Sequence, residues 1–221
     1  RKATDSIVRA VKGVDSLALL QKRLESEGNK LGSIVALREW GKALRKESRF
    51  EEALNVHGKG EQQAKSASDT LEWVQALNNM GTDYRRIGML DLAQAYHYRA
   101  WVLSEECSDT TFTARKNRVV SLNGLGNIYM TLGNYERADS AFRLDSILRL
   151  ALEIERQLNS VLGQAINYAN LGYIHEHNGS IDSAWVYYRK SMTLNIETGS
   201  KLGISLCHNN FGSLYQKAKQ Y

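Results

Sequence analysis

The chain has 221 residues, 43% of them hydrophobic and 24% charged, with a formal net charge of +5 and no proline. These are ordinary proportions for a soluble folded chain of one sizeable domain or two small ones, and the absence of proline excludes Pro-rich linkers and tails and argues against most β-sandwich turns. No apolar run approaches the length needed to cross a bilayer, and the modest positive charge is compatible with anionic partners without demonstrating them.

At the N-terminus, Ile7, Val8 and Val11 share a helical face that Gly13 interrupts. The stretch Leu17 to Leu24, LALLQKRL, reads as an amphipathic helix that stops near Gly28-Asn29. From there a pattern repeats. Gly41, Gly81, Gly126, Gly172 and Gly212 are spaced by 40, 45, 46 and 40 residues, each preceded by a bulky residue: Trp40, Met80, Leu125, Leu171 and Phe211. Three positions on stand Leu44, Tyr84, Tyr129, His175 and Tyr215. Seven on stand Ser48, Gly88, Gly133 and Gly179, where a helix should stop, and nine on stand Phe50, Leu90, Tyr135 and Ile181. Ala53, Ala93, Ala138 and Ala184 follow in register, then His57, His97, Phe142 and Tyr188. Small residues on both sides of a helix crossing permit close approach, and the large ones fill the space around it. The unit is a helix–turn–helix of about 40 residues, repeated as a solenoid.

The stretches LNNMGTDYRRIGMLDLA, LNGLGNIYMTLGNYERA and YANLGYIHEHNGSIDSA carry a resemblance to the tetratricopeptide repeat family, covering residues 32–221. The period is longer than that family's usual length of about 34 residues, and its closing proline is missing. Both features resemble the longer-repeat branch found in kinesin light chains, LGN/Pins adaptors and bacterial peptide or sugar sensors, and the wording is most similar to sensor and regulator proteins of Bacteroidetes. The resemblance implies an all-α, right-handed solenoid of antiparallel helix pairs, with about nine or ten long helices in all. The expected division is an N-terminal helical segment at 1–31, repeats at 32–70, 71–115, 116–161 and 162–202, and the first helix of a fifth at 203–221. The chain begins at Arg1 rather than Met and stops nine residues after Gly212, so a fragment of a longer protein is expected, with an output module elsewhere. Resemblance also tilts the expected compartment toward the periplasm, the cytoplasm being the alternative. Two repeats are long, with excess in the polar connector CSDTTFTARKN and in the second helix AFRLDSILRLALEIE.

In this family the first helix of each repeat lines a concave groove. The positions two and three before each glycine, and one, four and five after it, should point there. They include Arg38, Lys42, Arg45, Asn78, Asn79, Arg85, Arg86, Asn123, Asn127, Asn170, Tyr173, Asn209 and Asn210. Asparagine is a poor helix former, so its recurrence needs a reason. One is a ladder of amides that hydrogen-bonds the main chain of an extended peptide; the other is a set of bridges between neighbouring inner helices. Arg38, Lys42, Arg45, Lys46 and Arg49, followed by Arg85 and Arg86, would make the first part of the groove positive, favouring an acidic segment, or would form a solvated charged face. The two-carboxylate clamp of chaperone-binding relatives does not carry over, because its basic positions in the third repeat fall on Val120 and Gly124.

His175, Glu176 and His177 do not converge on one point of a helix, so a packing role is expected rather than a metal site. Cys107 and Cys207 are far apart, without metal-ligand spacing, and read as free thiols. No catalytic motif, phosphate loop or dinucleotide fingerprint is present, so neither enzymatic activity nor a cofactor is expected. The basic residues lack interleaved exposed aromatics, so nucleic-acid binding is not expected either. The expected function is recognition of a protein or extended peptide by a groove in a signalling regulator. A small oligosaccharide-type ligand, and self-association as a homodimer through the open solenoid end, are the alternatives.

Overall fold

A computed structural model describes residues 2–132 and 138–218, with side chains described for 3–132 and 144–218. Gly133 and Tyr135 lie outside the described residues, as do the side chains of Ala138 and Phe142. Every regular element among the described residues is an α-helix: α1 (Lys2–Ala10), α2 (Val14–Ser26), α3 (Lys30–Lys46), α4 (Phe50–Ser66), α5 (Thr70–Ile87), α6 (Leu90–Glu106), α7 (Phe112–Leu132), α8 (Ala138–Gln157), α9 (Val161–His177), α10 (Ile181–Glu197) and α11 (Lys201–Ala218). The chain is an α-solenoid of helix pairs, and from α2 to α6 and from α8 to α11 each helix packs on the next. Among the described residues there are ten long helices, α2 to α11, as the spacing predicts, and the segment before Gly13 adds the short α1.

The turns follow one rule. Gly28, Ser48, Ser68, Gly88, Asn159, Gly179 and Gly199 all have positive φ. At each, the last turn of a helix is closed by a pair of backbone bonds, as in Arg49 N to Leu44 O (3.0 Å) with Ser48 N to Arg45 O (3.1 Å). Stops at Ser48, Gly88 and Gly179 match the stop position read in the sequence. Stops at Ser68 and Asn159 carry no glycine and gave no sequence signal. On the far side, Asn29 and Asp69 cap α3 and α5 by accepting from Gly32 N (2.9 Å) and Glu72 N (3.1 Å). The excess of the second repeat is shared between an extended connector after Cys107 and a longer α7. That of the third lies in α8, which runs for 20 residues.

The residues divide into two compact units, 1–124 and 125–221, with α7 running through the division. In the first unit, Val8, Leu17, Val35 and Ala36 form one core cluster, and Val14, Leu37, Leu44, Ala53 and Val56 form the next. Val74, Leu77 and Ala100 form a third, edged by Trp73 and Tyr96. In the second unit, Leu144, Leu148, Leu152, Tyr168, Leu171 and Ile174 pack together, and Ala184, Tyr188 and Leu214 join α10 to α11.

The glycine register explains these crossings. A Cβ at Gly41 would collide with the ring of His57, one at Gly81 with His97, and one at Gly172 with Tyr188. Ala53, Ala93 and Ala184 are fully buried at the complementary position. A Cβ at Gly126 would meet Leu148 and Leu144 of α8. Nothing lies within 4 Å of a Cβ at Gly212, and Leu202 and Tyr215 on the same helix are exposed.

Candidate functional site

The helices expected to line the groove, α3, α5, α7, α9 and α11, each carry one register glycine. In the first unit their polar residues are largely committed to one another. Arg38 is 4% exposed, and its Nη1 donates to both carboxylate oxygens of Glu72 at 2.7 Å. Its Nη2 donates to Asp5 (2.5 Å) and its Nε to Glu39 (3.0 Å), so one guanidinium joins α1, α3 and α5. Burial works against its charge, but Glu72, Asp5 and Glu39 outweigh burial and hold it more firmly protonated than a free arginine. Arg38 is therefore a tie inside the unit, not a groove cation.

Lys42 Nζ donates to Glu39 (3.1 Å), and burial pushes its pKa down despite that partner. Arg45 donates to Asp83 (3.0 Å), to the Asn79 backbone oxygen (3.3 Å) and to Asn79 Oδ1 (2.9 Å). Asp83 has no exposure and also faces His57 Nδ1 at 2.5 Å. Asn78 is buried; its Nδ2 donates to Asn117 O (3.3 Å) and its Oδ1 faces His97 Nδ1 at 3.0 Å. Burial, then the charges of Arg85 and Arg45, push the His97 pKa down to about 4, so the neutral ring donates to Asn78. Asn78 and Asn79 thus take the bridging role, the second of the two reasons for recurrent asparagine. The remaining cations differ. Arg85 is half-buried and Arg86 exposed, and neither forms an ion pair with a described acid.

Other inner-face amides are uncommitted. Asn123, Asn127 and Asn170 are half-buried, and their side chains make no hydrogen bond with another described residue; Asn123 Oδ1 has no described donor within reach. Asn123 and Asn127 lie one turn apart on α7. Asn209 is exposed and Asn210 half-buried on α11. The Tyr173 ring sits 4.0 Å from that of His177.

The three adjacent residues 175–177 go to three different neighbours. His175 stacks on Tyr187 at 5.1 Å and lies 3.6 Å from Asp145, too far for a hydrogen bond; burial lowers its pKa. Glu176 is buried and accepts from Tyr188 Oη (2.7 Å), Ser213 Oγ (2.5 Å) and Lys217 Nζ (2.9 Å). Burial alone would raise its pKa, but these donors hold the carboxyl below its usual range. No group of three or more metal-ligating side chains occurs among the described residues. Cys107 and Cys207 are free, the latter buried.

Sequence reading missed Asp5, Glu72, Asp83 and Glu176 as partners, because each lies at least 12 residues from the group it holds. A weak signal existed for another pair. Gly163 and Gly203 each stand nine before a register glycine, and in the structure they receive the side chains of Glu155 and Asn195.

Two stretches, 119–144 and 165–195, match the family of the tetratricopeptide repeat. Together with solved structures of like fold, these matches support membership of that repeat class. The chain is similar to BtubC (BKLC) from P. vanneervenii, with 17% identity, a TM-score of 0.77, and coverage of 93% of this chain and 83% of that one. It is also similar to the apo form of RapI, with 13% identity, a TM-score of 0.70 and coverage of 94% and 55%. A STAND protein from Pyrococcus horikoshii with a tetratricopeptide repeat sensor gives 16% identity, a TM-score of 0.70 and coverage of 94% and 30%. The chain thus spans about half of RapI and under a third of the STAND protein. No curated protein matches the sequence. At these identities the likeness concerns the fold.

Proposed function

We propose that this chain is a non-enzymatic recognition module whose inner helices bind a protein segment in extended form, acting within a larger signalling or transcriptional regulator. The observation that carries the reading is the pair of half-buried amides at Asn127 and Asn170 in the second unit, whose side chains make no hydrogen bond with a described residue. A partly buried amide without such partners costs free energy, which the main chain of a peptide would recover by donating to and accepting from it. Support also comes from fold relatives: a Rap conjugation gene regulator of plasmid pLS20, similar in fold with 14% identity and a TM-score of 0.59, is solved in complex with the Phr* peptide. RapI and the STAND sensor share the fold within regulatory proteins.

The test is selection from a random peptide library with the native protein and an Asn127→Ala/Asn170→Ala variant as paired baits. Enrichment lost in the variant, with helicity unchanged, supports the reading. Enrichment of nothing by the native protein would overturn it and leave a screen of sugars by thermal shift as the next test. The exposed outer side of α11 around Gly212 is proposed as the surface for self-association, which sedimentation at low and high concentration would detect.

A further inference from the structure

A cavity of about 360 Å³ lies among α4, α5 and α6, wholly within the first unit. Trp73, Leu77, Val102 and Leu103 supply apolar walls, and Lys65 and Glu106 supply one charge of each sign. Its size, and a mainly apolar lining with a few polar groups, are those of a small-ligand site. A crevice between helices can also be a by-product of packing, so the residues that line it decide its meaning.

The preceding hairpin supplies the comparison. A crevice among α2, α3 and α4 is lined by Glu25, Ser33, Gln62, Gln63 and Ser66. These stand forty residues before Lys65, Trp73, Val102, Leu103 and Glu106, in that order. The fold therefore accepts either lining at this place, and packing does not dictate the indole or the aliphatic side chains. In the first crevice the polar groups answer one another. Glu25 accepts from Gln21 (3.1 Å) and Gln63 (2.9 Å), while Ser33 Oγ accepts from Gln21 (3.1 Å) and donates to Gln63 (3.0 Å). The second crevice is built differently. Trp73 is half-buried, and its Nε1 donates to Glu61 at 3.3 Å, which orients the ring. The Lys65 ammonium lies 5.6 Å from the centroid of that ring. Lys65 and Glu106 are exposed, and neither forms an ion pair with a described residue.

An indole face takes a second aromatic ring by offset stacking, and leucine and valine fill in around its edge. Attraction to the ring holds Lys65 beside the cavity, where a carboxylate answers the ammonium more strongly than the ring does. Glu106 in turn suits an ammonium. One small class of molecule carries all three groups on a short frame, an aromatic α-amino acid with both charges free. An aromatic residue inside a peptide has lost both charges, and an aromatic acid without an amine has lost one.

We infer that this cavity is a site for a free aromatic amino acid, with the ring on Trp73, the carboxylate on Lys65 and the ammonium on Glu106. The site uses none of the residues of the proposed groove and is a second place of recognition on the chain.

The test is calorimetric titration and thermal shift of the full chain with phenylalanine, beside phenylpropionate, phenethylamine, leucine and N-acetyl-phenylalanine amide. Phenylalanine should bind and raise the melting temperature. Phenylpropionate and phenethylamine, each lacking one charge, should bind about two- to fivefold more weakly, and leucine and the blocked amide more weakly still. Lys65→Met should weaken phenylalanine and phenylpropionate but spare phenethylamine, and Glu106→Gln should give the converse pattern. Val102→Gln installs the residue that the first crevice already carries, so helicity should be unchanged while every aromatic ligand binds less well. Ser66→Ala, in the first crevice, should alter none of them. Absence of phenylalanine binding at millimolar concentration, or binding untouched by Val102→Gln, would overturn the inference. Equal binding of the blocked amide would overturn it too, marking the cavity as a socket for the aromatic side chain of a protein partner. None of these outcomes bears on the amides at Asn127 and Asn170.

Discussion

Arg38 and Glu72 are 4% and 1% exposed and face each other through two hydrogen bonds. Removing the arginine takes from the buried Glu72 carboxylate the cation that donates to both of its oxygens. Arg38→Met should therefore destabilise by about 3–5 kcal/mol in urea unfolding, and adding Glu72→Leu should recover much of that loss. Equal or additive losses would mean that the pair is not coupled. His97 makes a pH prediction. Its folded pKa of about 4 lies below the ordinary 6.5, so as pH falls the unfolded chain takes up the proton first. Stability is complete above about pH 6.5 and is lost progressively down to about pH 4, by on the order of 3 kcal/mol. His97→Gln, which keeps a donor toward Asn78, should flatten that slope.

The helices themselves were legible because each one carries its own instructions. A register glycine, a stop seven residues later and a buried alanine define a hairpin without reference to anything distant. Gly172 and Gly212 occupy the same sequence position and have opposite surroundings. Gly172→Ala drives a methyl into the Tyr188 ring and should cost about 1–3 kcal/mol. Gly212→Ala meets open space and should be neutral or stabilise by up to about 1 kcal/mol through helix propensity. Thermal melts of the two variants settle the matter, and equal shifts would break the register. Ser68 and Asn159 show where legibility failed: they adopt the left-handed turn without the glycine that advertises it.

From α2 to α6 and from α8 to α11, helices pack mainly on their sequence neighbours. Energetics of such arrays are sums of local terms, so a perturbation should stay near its origin. Glu176 ties α9, α10 and α11 together through Tyr188, Ser213 and Lys217. Glu176→Gln removes the charge that holds Lys217, and amide hydrogen exchange should quicken in α11 while α3 to α5 keep their protection. Uniform loss of protection would show that the chain unfolds as one block. Because the folded Glu176 pKa is depressed, the same tie is complete above the usual carboxyl pKa and loosens as pH falls through the lower, folded value.

The sequence by itself determined the repeat, the helix pairing and the glycine–alanine crossings, because all of these follow from spacing within one or two helical turns. It also named the asparagines and arginines expected to face a groove. What only the tertiary structure decided is which of them are spent. Arg38 was read as a groove cation or a solvated charge and is a buried tie, Asn78 as a ladder amide or a bridge and is a bridge, whereas Arg85 forms no ion pair with a described acid. That outcome depends on Asp5, Glu72 and Asp83, residues 26 to 38 positions from the side chains they meet. Electrostatic pairing acts through space, and no local periodicity records it.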